Sequence, residues 1–223
     1  MKKLIGRISA ARLCLPLFLA VIITLALTGR TSAADSAQVV SKLQKKYESI
    51  TSLSATFRQE TASKSLGQPH ISEGVVYFKK PGKMRWIYQT PSKDELISNG
   101  RMIWVYQPDL NQVMERSTEG APSSIATDFL SGIGNLARDF SITIEDSSAG
   151  VYLLNLAPKV EEPNVKDIRL EVDRKSFLVL KTFIEDYFGN VTTVSFTDIK
   201  LNAPQKDSFF DFTPPKDAAV IKP

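Results

Sequence analysis

The sequence predicts a mostly β protein of the α+β class: about eleven antiparallel strands in one long meander that must curl, covered by short helical segments. Three observations carry this. Apolar residues recur at helical spacing in one early segment, the period then changes from near 3.6 to 2, and turn-forming residues punctuate the rest at short intervals. A single sheet with one apolar face has to bury that face, and the helical segments are the material available to do it.

The chain of 223 residues begins with a basic lead (Lys2, Lys3, Arg7, Arg12), an apolar run from Leu13 to Leu27 and the small residues Thr31-Ser32-Ala33-Ala34. That order is a cleavable secretory signal over residues 1–34, with cleavage after Ala34 or Ala33, and leaves one domain over 35–223. The apolar run falls short of the ~20 residues a membrane-spanning helix requires, so no span is expected in the mature chain. The single cysteine, Cys14, lies inside the signal, and Arg12 beside it is wrong for lipid attachment.

From Asp35 the pattern is helical: Val39, Val40, Leu43, Tyr47 and Ile50 share one face, with Lys42, Lys45, Lys46 and Glu48 opposite. Candidate strands follow at 53–61, 71–79, 84–89, 95–98, 101–106, 112–116, 140–145, 151–156, 168–172, 178–185 and 191–200. Between them lie Pro81-Gly82, Asn99-Gly100, Pro108-Asp109, Gly150, Asp173-Arg174 and Gly189-Asn190, which preset or tolerate turn dihedrals. Such short connections join antiparallel neighbours. One stretch, 117–138, breaks the meander. It sets Ile125, Phe129 and Ile133 four apart with Leu130 beside them, as one or two short helices that form either an ordinary cover for the core or a movable lid.

Alternation assigns faces. Val76, Phe78 and Lys80 share one face of the second strand, and Met84, Trp86 and Tyr88 share one face of the third, with Arg85 pointing away. Trp86, Tyr88, Trp104 and Tyr106 form an aromatic group on two strands near a hairpin, read either as sheet-face packing or as the lining of a cavity.

Composition excludes several functions. Of 28 basic residues, five lie in the first 34, where there is no acidic residue, so 23 remain against 24 acids in the mature chain. This balance gives no reason to expect nucleic acid or an anionic membrane as partner. One histidine, His70, and no thiol in the mature chain leave no nucleophile pair or zinc ligand set to assemble, so neither an enzyme nor a metal or other cofactor is expected. The string from Gly132 to Ala137 fits a dinucleotide loop only in a parallel sheet, which is not predicted. Asn190-Val-Thr192 is a chance glycosylation string.

The run Glu73-Gly-Val-Val-Tyr-Phe-Lys-Lys-Pro-Gly-Lys-Met-Arg-Trp86, the run Leu96-Ile-Ser-Asn-Gly-Arg-Met-Ile-Trp-Val-Tyr-Gln-Pro108 and, near the end, Phe209-Phe-Asp-Phe-Thr-Pro-Pro215 together resemble the LolA family of periplasmic outer-membrane lipoprotein carriers. Phe57-Arg58-Gln59 after the first helix falls in the same order. The resemblance implies an incomplete, strongly bent antiparallel barrel with a helical lid and an apolar cavity for the acyl chains of lipoproteins. It further implies a soluble periplasmic monomer that takes cargo from an inner-membrane ATP-driven release complex and passes it to an outer-membrane receptor. By position, Val76, Phe78, Met84, Trp86 and Trp104 would line the cavity. Lys80, where the family has arginine, would gate it with Ile125, Phe129, Leu130 and Ile133 as lid. Lysine keeps the charge but lacks the planar fork of a guanidinium. A glycolipid-binding or lipoprotein-sensing periplasmic protein of similar fold is the alternative.

Overall fold

The structure, a computed structural model, describes residues 33–63, 67–119, 134–146, 150–160 and 164–222. Helix α1 spans Ala33–Ser49, starting two residues ahead of Asp35, where the helical pattern was predicted to begin, as alanines readily extend a helix. Strands β1 (Ser52–Ala62), β2 (His70–Lys79), β3 (Lys83–Thr90), β4 (Glu95–Asn99), β5 (Met102–Gln107) and β6 (Gln112–Ser117) form a first meander. Strands β7 (Phe140–Asp146), β8 (Val151–Pro158), β9 (Asp167–Asp173), β10 (Val179–Glu185) and β11 (Val191–Leu201) form a second. Each predicted strand is present within two residues of its predicted ends.

A strand beyond the predicted number, β12 (Ala219–Ile221), lies parallel to β6 at one edge. Three residues are too few to show alternation, and its partner lies some hundred residues earlier, so no local pattern announces it. The sheet order is β12-β6-β5-β4-β3-β2-β1-β11-β10-β9-β8-β7. The two meanders meet where β1 pairs with β11, and the ends β12 and β7 do not pair, so the barrel stays open. Consequently β6 and β7, consecutive in the chain, stand on opposite wings of the sheet, and the segment between them links the two.

Bulges correct the alternation where the sheet bends. Two residues of β11 fit between the pairs Ser54↔Lys200 and Thr56↔Thr197, with Asp198 in the left-handed region at φ 50°. This returns Ile199 to the face that Phe196 occupies. On β2, Gly74 is required by contact: a Cβ there would sit 2.1 Å from the Ile87 carbonyl oxygen and 2.9 Å from the Phe57 ring.

The main core lies on the inner face, fed by both wings. Phe57, Val76 and Phe78 from one wing and Leu154, Leu156, Leu170, Val172 and Val179 from the other are all buried. The predicted apolar face of α1 fills the hollow between them, with Val40, Leu43, Tyr47 and Ile50 buried. A smaller core of Ile97, Trp104 and Val113 lies on the outer face, with Met102, Tyr106, Phe212 and Ala218 packed against it. Of the predicted helical insertion, a single turn, Leu136–Asp139, falls among the described residues. Its Leu136 N–H donates to Gln44 Oε1 of α1 at 3.1 Å.

Candidate functional site

Five aromatic rings of the inner face converge where β1, β2 and β3 lie side by side with β11. Phe57 packs edge-on against Trp86 at 4.9 Å and Tyr88 at 5.1 Å. Phe78 lies 5.9 Å and Phe196 6.3 Å from Trp86. Gly74 opposes both Phe57 and Tyr88 in the strand register and leaves the room in which the Phe57 ring lies. The residue was not singled out in the sequence; a glycine inside an alternating strand was the signal that could have found it.

Val76, Phe78 and Trp86 occupy this inner face as expected, buried to 0%, 2% and 8% exposure, and Met84 packs half-buried beside them. Trp104 does not join them. The register runs Arg85↔Ile97↔Trp104, whereas Trp86 pairs with Leu96 and Leu96 with Val105. Trp104 therefore projects from the opposite face with Arg85, and its place in a cavity lining shared with Trp86 is corrected. There it packs 6.3 Å from Phe212 and donates from Nε1 to Glu115 at 3.2 Å. Ile125, Phe129, Leu130 and Ile133 lie outside the described residues.

Helix α1 meets the aromatic face through Tyr47, which lies beside Phe78 and Phe196, and is latched at its C-terminal end. Lys80 Nζ donates to the Tyr47 carbonyl and, at 3.1 Å, to the Glu48 carbonyl. A cation on the last carbonyls of a helix complements both their unused acceptors and the helix dipole. Burial lowers the Lys80 pKa from its ordinary value, partly offset by Glu48. The Tyr47 hydroxyl accepts from the Val179 N–H at 3.0 Å, at the irregular start of β10. Burial pushes the Tyr47 pKa well up, the Val179 hydrogen bond opposing it. Lys80 thus meets α1, an element that sequence reasoning took only as a cover.

Beside Tyr47 of α1 the packing among the described residues is close. A cavity of about 10 Å³, lined by Tyr47, Leu53, Ala55, Phe78, Val179, Phe196 and Ile199, would hold at most one water. Toward β6 the same face is less covered: Leu96, Ile103 and Val105 are half-buried and Met114 is exposed. One polar atom within the aromatic group lacks a partner among the described residues, the buried Trp86 Nε1. The Tyr88 hydroxyl donates to Gln59 Oε1 at 3.2 Å.

The opposite face is sealed by the C-terminal segment. Arg85 bonds Glu95 at 2.6 Å and the Phe209 carbonyl at 2.8 Å, with its guanidinium 5.0 Å from the Phe209 ring centre. Lys79 and Lys83 both bind Asp207, and hold its carboxyl below the usual range. The Phe209-Phe-Asp-Phe motif is thus a clasp on the outer face. Among the described residues no group of three or more His, Cys, Asp or Glu side chains could hold a metal, and no helix is long and apolar enough to cross a membrane.

An unclosed sheet, antiparallel except for β12 at one edge, apolar and aromatic inside, with one helix latched into its hollow, defines a half-barrel of the kind whose interior is lined for apolar contact. The chain belongs to the family described as outer membrane lipoprotein carrier protein LolA, which it matches over residues 48–213. Among named relatives, an outer-membrane lipoprotein carrier protein of Methylobacillus flagellatus is 29% identical over 82% of this chain and 88% of the relative. One of Cupriavidus taiwanensis is 34% identical over 68% and 71%. The fold is similar to that of an uncharacterised conserved protein from Thermus thermophilus, with a TM-score of 0.54 at 15% identity, covering 84% of this chain and 99% of that one.

Proposed function

We propose that this protein carries acylated lipoproteins across the periplasm, sheltering their acyl chains against the inner face of the half-barrel. In this reading it is exported by a signal at residues 1–34 and works as an unanchored monomer. It receives cargo from an inner-membrane ATP-driven release complex and yields it to an outer-membrane receptor. The observation that carries the reading is the aromatic and aliphatic inner face shared by Phe57, Val76, Phe78, Trp86 and Phe196, into which α1 packs. Membership of the lipoprotein carrier family supports it.

The physical demand is specific. Acyl chains stabilise the membrane-bound state by about 0.8 kcal/mol per buried methylene, so a multiply acylated protein crosses water only if a carrier offers comparable apolar burial. The carrier must also release. With Val40, Leu43, Tyr47 and Ile50 filling the hollow when no cargo is bound, entry of an acyl chain requires α1, or the insertion bearing Ile125, Phe129, Leu130 and Ile133, to give way. That competition lowers net affinity and makes transfer to a receptor possible. Val76, Phe78, Met84 and Trp86 are the proposed acyl contacts, and Lys80 gates them by holding the end of α1. Binding, not catalysis, is the activity.

The test is to mix the purified mature protein with a triacylated lipoprotein in detergent, dilute the detergent away and separate by size. A soluble one-to-one complex is expected. Aggregation of the lipoprotein irrespective of this protein would overturn the proposal.

A further inference from the structure

Trp86 is 8% exposed, and its Nε1 is a buried donor with no hydrogen-bond partner among the described residues. Native interiors pair nearly all such groups, because an unpaired buried donor forfeits its hydration without recompense. The indole is surrounded by Phe57, Phe78 and Phe196 at 4.9 to 6.3 Å, and a benzene ring offers no lone pair. Phenylalanine would fill such a site with no unpaired group. Tyr88, the other polar aromatic of the cluster, does have its partner in Gln59, so the omission is confined to Trp86.

We infer that the Trp86 indole N–H is the recognition point for a carbonyl oxygen on the lipid, the ester or amide carbonyl where an acyl chain joins its headgroup. This rests on the acyl-binding reading and adds to it. Apolar packing alone grips any hydrocarbon at any depth, whereas one fixed donor in a site otherwise built of rings selects ligands that carry an acceptor and sets how far the chains descend. An ester or amide carbonyl at the head of an acyl chain is the acceptor such a site admits, since its oxygen brings two lone pairs and no charge.

The probes are dioctanoylglycerol, which has two ester carbonyls, and dioctylglycerol, its dialkyl ether counterpart without them. Binding of each is measured to the wild-type protein and to Trp86→Phe, which keeps an aromatic ring and removes the donor. The expected result is a loss of about tenfold for the ester on substitution, ~1.4 kcal/mol, and no loss for the ether. Because the variant can also shift packing, the wild-type protein labelled with 15N-tryptophan supplies a second readout. The Trp86 indole proton resonance should move downfield with the ester and not with the ether. Equal binding of both probes by both proteins, with no selective indole shift, overturns the inference and leaves the carrier reading intact. If neither probe binds wild type, the carrier reading itself fails and the inference falls with it.

Discussion

Replacing Lys80 with methionine keeps the aliphatic stem and removes the ammonium that latches α1. The structure sets the size of the effect. Two carbonyls, those of Tyr47 and Glu48, lose a charged donor, but the Tyr47 carbonyl keeps the Ile50 N–H at 3.2 Å. A hydrogen bond to a charged group contributes ~1.5–3 kcal/mol, and the depressed Lys80 pKa means that burial of the charge already opposes part of it. A net loss of about 1–2 kcal/mol is expected, read as a lower urea midpoint at unchanged slope. If detachment of α1 admits acyl chains, the same free energy should tighten binding of a fluorescent fatty-acid probe, by up to about 30-fold. Lys80 binds its proton less tightly folded than unfolded, so its contribution rises with pH as the solution approaches pH 10.5 from below. The stability gap between wild type and variant should widen there. An unchanged midpoint together with unchanged probe affinity would refute the latch.

Gly74→Ala should cost about 3 kcal/mol or more in thermal unfolding, because its methyl would meet backbone at 2.1 Å; a loss under ~0.5 kcal/mol would show that β2 and β3 can separate freely. Tyr47→Phe removes the acceptor for Val179 and should cost ~1–2 kcal/mol at pH 7. A tyrosine pKa raised on folding stabilises below pH 10 and ceases to do so as pH climbs above it, so the variant should lose less stability than wild type between pH 10 and 11. Parallel pH curves would contradict that assignment. Trp104→Phe loses the bond to Glu115 and should cost ~1 kcal/mol while leaving probe affinity within twofold, since Trp104 lies on the outer face. A large affinity loss would put it back with Trp86.

Much of the fold was legible because alternation and turn residues are local. Pro81-Gly82 and Asn99-Gly100 bracket their strands in the sequence as they do in the structure, with Gly82 and Gly100 at positive φ. The face of α1 was equally legible, from Val40 to Ile50. What failed to read was relative placement. Trp86 and Trp104 each sit on a clear alternating pattern, but which face of one strand continues which face of another is set by pairing register, and Arg85↔Ile97↔Trp104 put the second tryptophan outside. The sign of Lys80 was readable. Its partner was not, because the carbonyls of Tyr47 and Glu48 lie over thirty residues away and carry no side-chain signature.

The sequence by itself determined the strands, the covering helix, the charge balance and the motifs that mark the family, all of which follow from neighbours within a few residues. Only the tertiary structure decided that β1 closes on β11 while β7 and β12 stay apart, that the phenylalanine-rich C-terminal segment clasps the outer face through Arg85, and that one indole N–H stands unpaired in the aromatic interior. These depend on contacts between distant segments, where the gain from burial is shared among many side chains and no single residue states it in advance.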